Sequence, residues 1–307
     1  MPVLDRREFV ASTLALAASA AADEKSPLPI IDTHQHLWDL GKFRLPWITK
    51  GHQLNRNYLM SDYLAATKGL GVVQAVYMEV DVAPKQQLAE AEEVIAVCKR
   101  GDTPMRAAVI SGRPAADDFA QYIKRFQGSP YVKGLRQVLH GEGTKAGYCL
   151  DRKFIAGVRL LGELGLRYDL CLRHGELLDG AKLAGMCKGT RFVLDHCGNP
   201  DLKKHEQWKK DLAAVAKHEN VVCKVSGVVA SAPPGQWQAK DLAPVVNHTL
   251  DTFGPDRVMF GGDWPVCLLA ATYAEWVHAL QEIVAGRKVE EQRKLFHDNA
   301  VRFYGLG

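Results

Sequence analysis

Eight short β-branched or aromatic runs, each followed by a longer stretch, set the strongest limit on what this chain can fold into. The runs are PIIDTH from residue 29, VVQAVYMEV from 72, MRAAVI from 105, YVKGLRQV from 131, LRYDLCL from 166, RFVLDH from 191, NVVCKVS from 220 and RVMFGGD from 257. Between them lie segments such as QQLAEAEEVIAVCKR, KFIAGVRLLGEL and WKKDLAAVAKH, with apolar residues at helical spacing and charge on the opposite side. The runs are too uniformly apolar for an antiparallel sheet with one wet face. Eight strand-helix units over about 270 residues predict an α/β fold, a (β/α)8 TIM barrel forming a single catalytic domain. A doubly wound open sheet is the alternative, but its first strand would run into a glycine-rich phosphate loop. Here the first strand runs into PIIDTHQHLWD, residues 29–39, with two histidines one residue apart.

The first residues follow a different logic. DRREFVASTLALAASAAADEK has a charged start, an apolar stretch and small residues before Asp23, which predicts an export signal over 1–22 and a barrel domain over 23–307. Arg6 and Arg7 followed by Phe9 fit a twin-arginine signal, so the expected partner is the export machinery for folded proteins and the expected destination is the periplasm. Ala20 and Ala22 frame an AxA cleavage site. The apolar stretch is too short to span ~30 Å of hydrocarbon, so no stable membrane span is expected. Seven cysteines without a CxxC pair sit mostly beside apolar residues and read as core filler without disulfides. That usage suits folding in a reducing compartment before export. The net charge of +4 comes from 39 basic and 35 acidic residues scattered along the chain, which argues against a nucleic-acid partner. Homo-oligomer formation is left open.

In a TIM barrel the chemistry sits where the strands end at their C-terminal face. Strand one supplies Asp32, His34 and His36, placed on one face by the two-residue period. Strand two offers Glu79, strand four Arg136, and strand five Asp169, with Arg173 and His174 just beyond. His196 ends strand six, Lys224 and Ser226 lie on strand seven, and Asp263 ends strand eight. The expected catalytic set is Asp263, His34, His36 and His196. Arg136 and Lys224 carry donors only and suit substrate hydroxyls or a carboxylate. The alternative for both is a surface charge or a barrel-bottom ion pair. Glu79, Asp169, Trp38 and Trp264 complete the expected substrate-binding set; the alternative for Trp38, Trp47 and Trp264 alike is a place in the core or in the plain wall of the pocket. A lone histidine after a strand is more often plain loop polarity, the reading that suits His174. The polar and aromatic segment 40–69 is expected to be a loop over the barrel mouth. Loops 139–150 and 228–241 would help to shape the specificity pocket.

Taken together, IIDTHQHLWD, VLDHCGNP, VVCKVSG, RVMFGGDWPVCLL and the closing HDNAVRFYGL resemble the amidohydrolase-related branch of the amidohydrolase superfamily, which contains sugar-acid lactonases and pyrone dicarboxylate lactonases. The motifs span essentially the whole mature chain in order. The resemblance implies a (β/α)8 barrel, hydrolysis of a cyclic ester, and catalytic positions matching His34, His36, His196 and Asp263. The chain departs from the superfamily's binuclear pattern, which needs a bridging carboxylated lysine or a carboxylate late in strand four and a histidine ending strand five. Lys133 sits early in YVKGLRQV, and strand five presents Asp169. A two-metal centre is therefore not expected. Two versions stay open: no metal, or one Zn²⁺ or Mn²⁺ held by His34, His36 and Asp263. No organic cofactor is expected. The expected activity is a hydrolase that opens a lactone, a small molecule derived from a sugar acid, with an activated water. A metal-dependent decarboxylase or an amide hydrolase of the same superfamily is the enzymatic alternative, and a non-catalytic periplasmic sugar-binding protein is the alternative of another class.

Overall fold

A computed structural model describes residues 28–141 and 143–307. The predicted export signal lies outside the described residues. Eight parallel strands follow in chain order around a barrel: β1 (Ile30–Gln35), β2 (Val72–Met78), β3 (Met105–Ser111), β4 (Val132–Val138), β5 (Arg167–Cys171), β6 (Arg191–Leu194), β7 (Val221–Val225) and β8 (Val258–Phe260). The TIM barrel expected from the alternation is thus present. It closes between β8 and β1 through backbone bonds beyond the end of β8: Asp263 N–H donates to the His34 carbonyl and His36 N–H to the Trp264 carbonyl, each at 2.8 Å. Closure therefore uses the two segments that carry the candidate chemistry.

The helices that cover the sheet are α1 (Met60–Thr67), α2 (Gln87–Arg100), α3 (Phe119–Lys124), α4 (Arg152–Glu163), α5 (Leu177–Met186), α6 (Glu206–Ala216), α7 (Ala239–Phe253), α8 (Tyr273–Val284), α9 (Val289–Arg293) and α10 (Asn299–Tyr304). Local sequence explains their limits. Asp151 caps α4 by accepting from Lys153 N–H at 2.8 Å, and Phe154, Gly157, Val158 and Leu161 at i, i+3, i+4 and i+7 face the sheet. Thr272 and Glu275 form a capping box at the start of α8. Inside the barrel, Ile31, Val76, Val109, Val193 and Met259 pack on Phe303 and Tyr304 of α10, which plugs the bottom. The seven cysteines are all buried and unbridged, as core filler should be. No helix among the described residues is long and apolar enough to cross a membrane.

Two local expectations fail. Segment 40–69 is not all loop: after an antiparallel bridge between Trp38 and Tyr58 it ends in α1. That helix has only two turns and buries only Tyr63 and Thr67, too little periodicity to stand out in a polar stretch. Asp32 does not share a face with His34 and His36. The pairing of β1 with β2 slips between Asp32, opposite Ala75, and Gln35, opposite Tyr77, so three steps on β1 match two on β2. Ile31 points into the barrel, so the strand period sends Asp32 outward, where it accepts from Tyr63 of α1 at 2.9 Å and Tyr273 of α8 at 3.1 Å; the slip that follows turns His34 inward.

Behind β2, Glu90 of α2 accepts from the Tyr77 hydroxyl at 3.0 Å and Val80 N–H at 2.9 Å, and its other oxygen is buried without a partner. Burial raises its carboxyl to about 8, and the charge on Glu79 adds to the rise. Between the ordinary 4.5 and about 8 the folded chain binds the extra proton, so stability falls as pH climbs through that window and levels off above it. Glu90→Gln mimics the protonated form and keeps the acceptor. We expect it to flatten the dependence of melting temperature on pH and to raise the melting temperature at the alkaline end. An undiminished slope in the variant would refute this.

Candidate active site

The C-terminal ends of the strands surround a cavity of about 330 Å³. Its walls include His36 and Asp263 from the β1/β8 seam, Arg136 of β4, His196 beyond β6, and Trp47, Val80 and Asp81 from the loops. A cleft of similar size between Lys85, Gln121 and Arg125 lies elsewhere and contains none of these histidines. The last residues before the cavity are bent. Asp263 has φ 52° and His196 φ 54°, left-handed conformations that are uncommon for non-glycine residues and cluster at functional sites. At β6 the bend matters directly. Val193 points into the barrel, so the two-residue period also sends Asp195 inward; His196 joins it only because the chain turns left-handed there.

The catalytic candidates are brought together. Asp263 Oδ1 lies 3.3 Å from His36 Nε2 and 3.7 Å from His34 Nε2, and the His34 and His196 rings are 4.4 Å apart. His36 Nδ1 is 2.9 Å from the Met78 carbonyl, which only accepts, so the ring's proton is on Nδ1 and its Nε2 lone pair faces Asp263. Burial, helped by Arg136, lowers His36 to about 4. Burial raises Asp263 to about 6, against the pull of His196 and Arg136. A lone pair facing a carboxylate oxygen at this distance calls for a shared proton or a cation. His34 Nε2 lies 3.2 Å from Arg136 Nη1 and accepts from it, leaving Nδ1 to face Asp195 Oδ1 at 3.5 Å. His196 Nδ1 is 3.0 Å from Ser226 Oγ, a hydroxyl that can donate or accept and so permits either tautomer.

Beneath the cavity floor runs a buried ionic network. Arg136 donates from Nε to Glu79 Oε1 at 2.7 Å, from Nη2 to the Glu79 carbonyl at 2.7 Å, and from Nη1 toward Asp195 Oδ2 at 3.3 Å. Lys224 Nζ bonds Asp169 Oδ2 at 2.6 Å and lies 3.4 Å from Asp195 Oδ1, with all three side chains fully buried. Of the expected substrate-binding residues only Arg136 borders the cavity. Glu79 holds Arg136, while Lys224 and Asp169 form an ion pair below the floor, because inward residues placed one layer deeper are covered by the layer above. Trp38 and Trp264 also lie one layer back: Trp38 donates to the Arg56 carbonyl at 2.8 Å and packs edge-on to Trp47, and Trp264 packs on Tyr58 and Tyr63. Trp47, bonded to the Val80 carbonyl at 2.8 Å, makes the wall itself. His174 is exposed and plays no part, and Arg173 donates to the Gly141 carbonyl at 2.6 Å and so pins the β4 loop. Asp195, Asp81 and His140 were not picked out by sequence reasoning. For Asp195 the signal existed, in the strand period that runs through Val193.

Residues 31–306 match the amidohydrolase family over nearly the whole chain. The protein belongs to that family. An L-fucono-1,5-lactonase of Burkholderia multivorans is 31% identical over 294 residues, covering 90% of this chain and 96% of the relative. An L-rhamnono-gamma-lactonase of Scheffersomyces stipitis is 21% identical over 341 residues, covering 92% and 100%. Among solved structures, a Burkholderia multivorans amidohydrolase with bound zinc superposes with a TM-score of 0.80 at 28% identity, covering 91% of this chain and 100% of that one.

The donor set of this amidohydrolase fits one metal ion. His34, His196 and Asp263 each offer an atom within 4.8 Å of the others, and His36 Nε2 stands 3.3 Å from Asp263. Charge points the same way: four buried carboxylates, Glu79, Asp169, Asp195 and Asp263, face two cations, Arg136 and Lys224, an excess of two negative charges when all are ionised. The other grouping, Cys171, Asp195 and His196, shares His196 with the first, and its Asp195 is taken by Arg136 and Lys224. Burial pushes the Cys171 thiol up, away from the thiolate a metal requires. A two-metal centre has no second donor set among the described residues.

Gly227 makes the close approach of two catalytic candidates workable. A Cβ at this position would lie 2.3 Å from His196 Nδ1 and 3.1 Å from Asp263 Oδ2, and φ is +66°. Gly227→Ala is expected to displace the His196 ring and lower kcat/KM by about 10²-fold, the penalty for moving a catalytic group by ~1 Å. Wild-type turnover in that variant would show that His196 does not need its observed place.

Proposed function

We propose that this amidohydrolase opens the lactone of a sugar acid by adding water to its carbonyl. The observation that carries the reading is Asp263, a carboxylate raised to about 6 at the floor of a cavity, with a neutral imidazole on one side and a guanidinium nearby. Lactonases among the relatives support the choice of a cyclic ester.

Asp263 takes a proton from water as the water oxygen attacks the carbonyl carbon. When the tetrahedral intermediate collapses, the ring C–O bond breaks and Asp263 returns the proton to the departing alkoxide. A carboxyl group near 6 is mostly ionised at neutral pH yet acidic enough to give the proton back. Charge on the carbonyl oxygen is met by Arg136. Its five N–H groups have four partners, in Glu79 Oε1, the Glu79 carbonyl, His34 and Asp195, leaving one on Nη2 for the oxyanion. His196 presents Nε2 as a second donor when Ser226 donates to Nδ1. In the metal-bound form, one divalent ion held by His34, His196 and Asp263 would replace the His34–Arg136 bond and the His196 donor and would supply Lewis-acid polarisation of the same carbonyl.

A panel of sugar-acid lactones, simple amides and aromatic carboxylates, followed by pH indicator and by CO₂ release, tests the reading. Acid release from the lactones is expected. Binding without turnover, or CO₂ release instead, would overturn it. For metal content, elemental analysis of protein purified without chelator is expected to give no more than one equivalent per chain. Two equivalents would overturn the single donor set.

A further inference from the structure

Asp81, beyond the end of β2, lines the cavity and takes no part in the proposed chemistry. Its backbone is left-handed, with φ 49°, and is held there by a bond from its N–H to Glu79 Oε2 at 2.7 Å. Arg113 Nη2 donates to its Oδ1 at 2.8 Å. Arg113 is anchored in turn by the Gly112 carbonyl at 3.2 Å and by the Gln87 amide, which accepts at 3.0 Å when its oxygen faces the guanidinium. Oδ2 of Asp81 has no hydrogen-bond partner among the described residues, and the side chain is 31% exposed. A carboxylate fixed at one oxygen and open at the other, on the wall of a substrate cavity, is an acceptor waiting for a hydroxyl.

We infer that Asp81 selects a neutral, polyhydroxylated ring over an anionic one, its Oδ2 accepting from ring or side-chain hydroxyls of the lactone. The inference rests on the lactonase reading and narrows its substrate class. A substrate carboxylate would meet Asp81 as a like charge. It would find little compensation elsewhere, since Arg136, the guanidinium on the cavity wall, is bracketed by Glu79 and Asp195 and its one remaining N–H serves the lactone carbonyl oxygen. A hydroxyl instead completes the coordination of Oδ2 and costs no charge burial.

Asp81→Asn tests this, because Asn also tolerates the left-handed backbone and should fold as the parent does. With L-fucono-1,5-lactone as substrate, the variant is expected to raise KM about tenfold to a hundredfold with kcat changed only a few-fold, the loss of a charged hydrogen bond. With 2-pyrone-4,6-dicarboxylate as inhibitor, the variant is expected to bind more tightly than the parent. A sugar δ-lactam, which keeps the ring and hydroxyls but resists hydrolysis, reads the same contact by calorimetry. Equal lactam affinity in both proteins, or no lactam binding by the parent, overturns the inference. So does a parent enzyme that prefers the dicarboxylate, an outcome that leaves lactone hydrolysis standing. Lactam discrimination by Asp81 with no lactone turned over would sink the lactonase reading instead.

Discussion

Asp263→Asn is expected to lower kcat for lactone hydrolysis by about 10²- to 10⁴-fold, the range for loss of a positioned general base. The substitution isolates the chemistry from the fold. Asn has the same shape, and it tolerates φ 52° better than most residues. Its amide nitrogen can donate to the His36 Nε2 lone pair that faces Oδ1 at 3.3 Å. A buried carboxyl that burial has pushed up to about 6 is also no asset to stability at neutral pH. The melting temperature should therefore stay near that of the parent while turnover collapses. Turnover within a few-fold of the parent would remove Asp263 from the mechanism. A collapse of kcat together with the melting temperature would show that its role is structural.

Lys224→Met is expected to reverse that pattern, with a large loss of stability. Removing the ammonium leaves Asp169, formerly at 2.6 Å, and Asp195, at 3.4 Å, in a fully buried layer without their shared cation. Breaking a buried pair from one side costs about 3–5 kcal/mol, which for a domain of this size lowers the melting temperature by roughly 6–20 °C. Adding Asp169→Asn should restore part of the loss, since the second substitution removes one uncompensated charge. Such recovery is the signature of a pair rather than of two independent residues. If Lys224→Met leaves stability intact and raises KM instead, Lys224 reaches the substrate and its buried position does not describe the working enzyme.

These two residues also show how far sequence reasoning carries. Both end or occupy strands, and the periodicity that locates strands treats them alike. What separates them is depth. Asp263 sits past the end of β8, at the cavity floor, whereas Lys224 lies inside β7, one layer lower and covered. Depth depends on how neighbouring strands are staggered around the barrel, which no single strand encodes. The same limit explains Trp38 and Trp264, which have the side chains of a pocket wall but do not line the cavity, Trp38 packing behind Trp47 and Trp264 against Tyr58 and Tyr63. Asp32 failed for a different reason. The strand period places it with His34 and His36, but the register slip against β2 breaks that period between them. Asp195 is legible from the two-residue period that runs through Val193, but it stands beside His196, the residue type that acid–base and metal chemistry favours at a strand end.

The sequence by itself determined the eight alternating units, the barrel they form, the family, and the gathering of His34, His36, His196 and Asp263 at one end. It could do so because apolar periodicity acts along a single segment and the barrel sends every strand end to the same face. Tertiary structure alone decided which charged residues touch the cavity and which neutralise each other beneath it. It also decided the left-handed turns that bring in His196 and Asp263, and the anchored carboxylate of Asp81. Those outcomes depend on distances of a few ångströms between segments far apart in the chain, where charge, burial and packing are settled jointly.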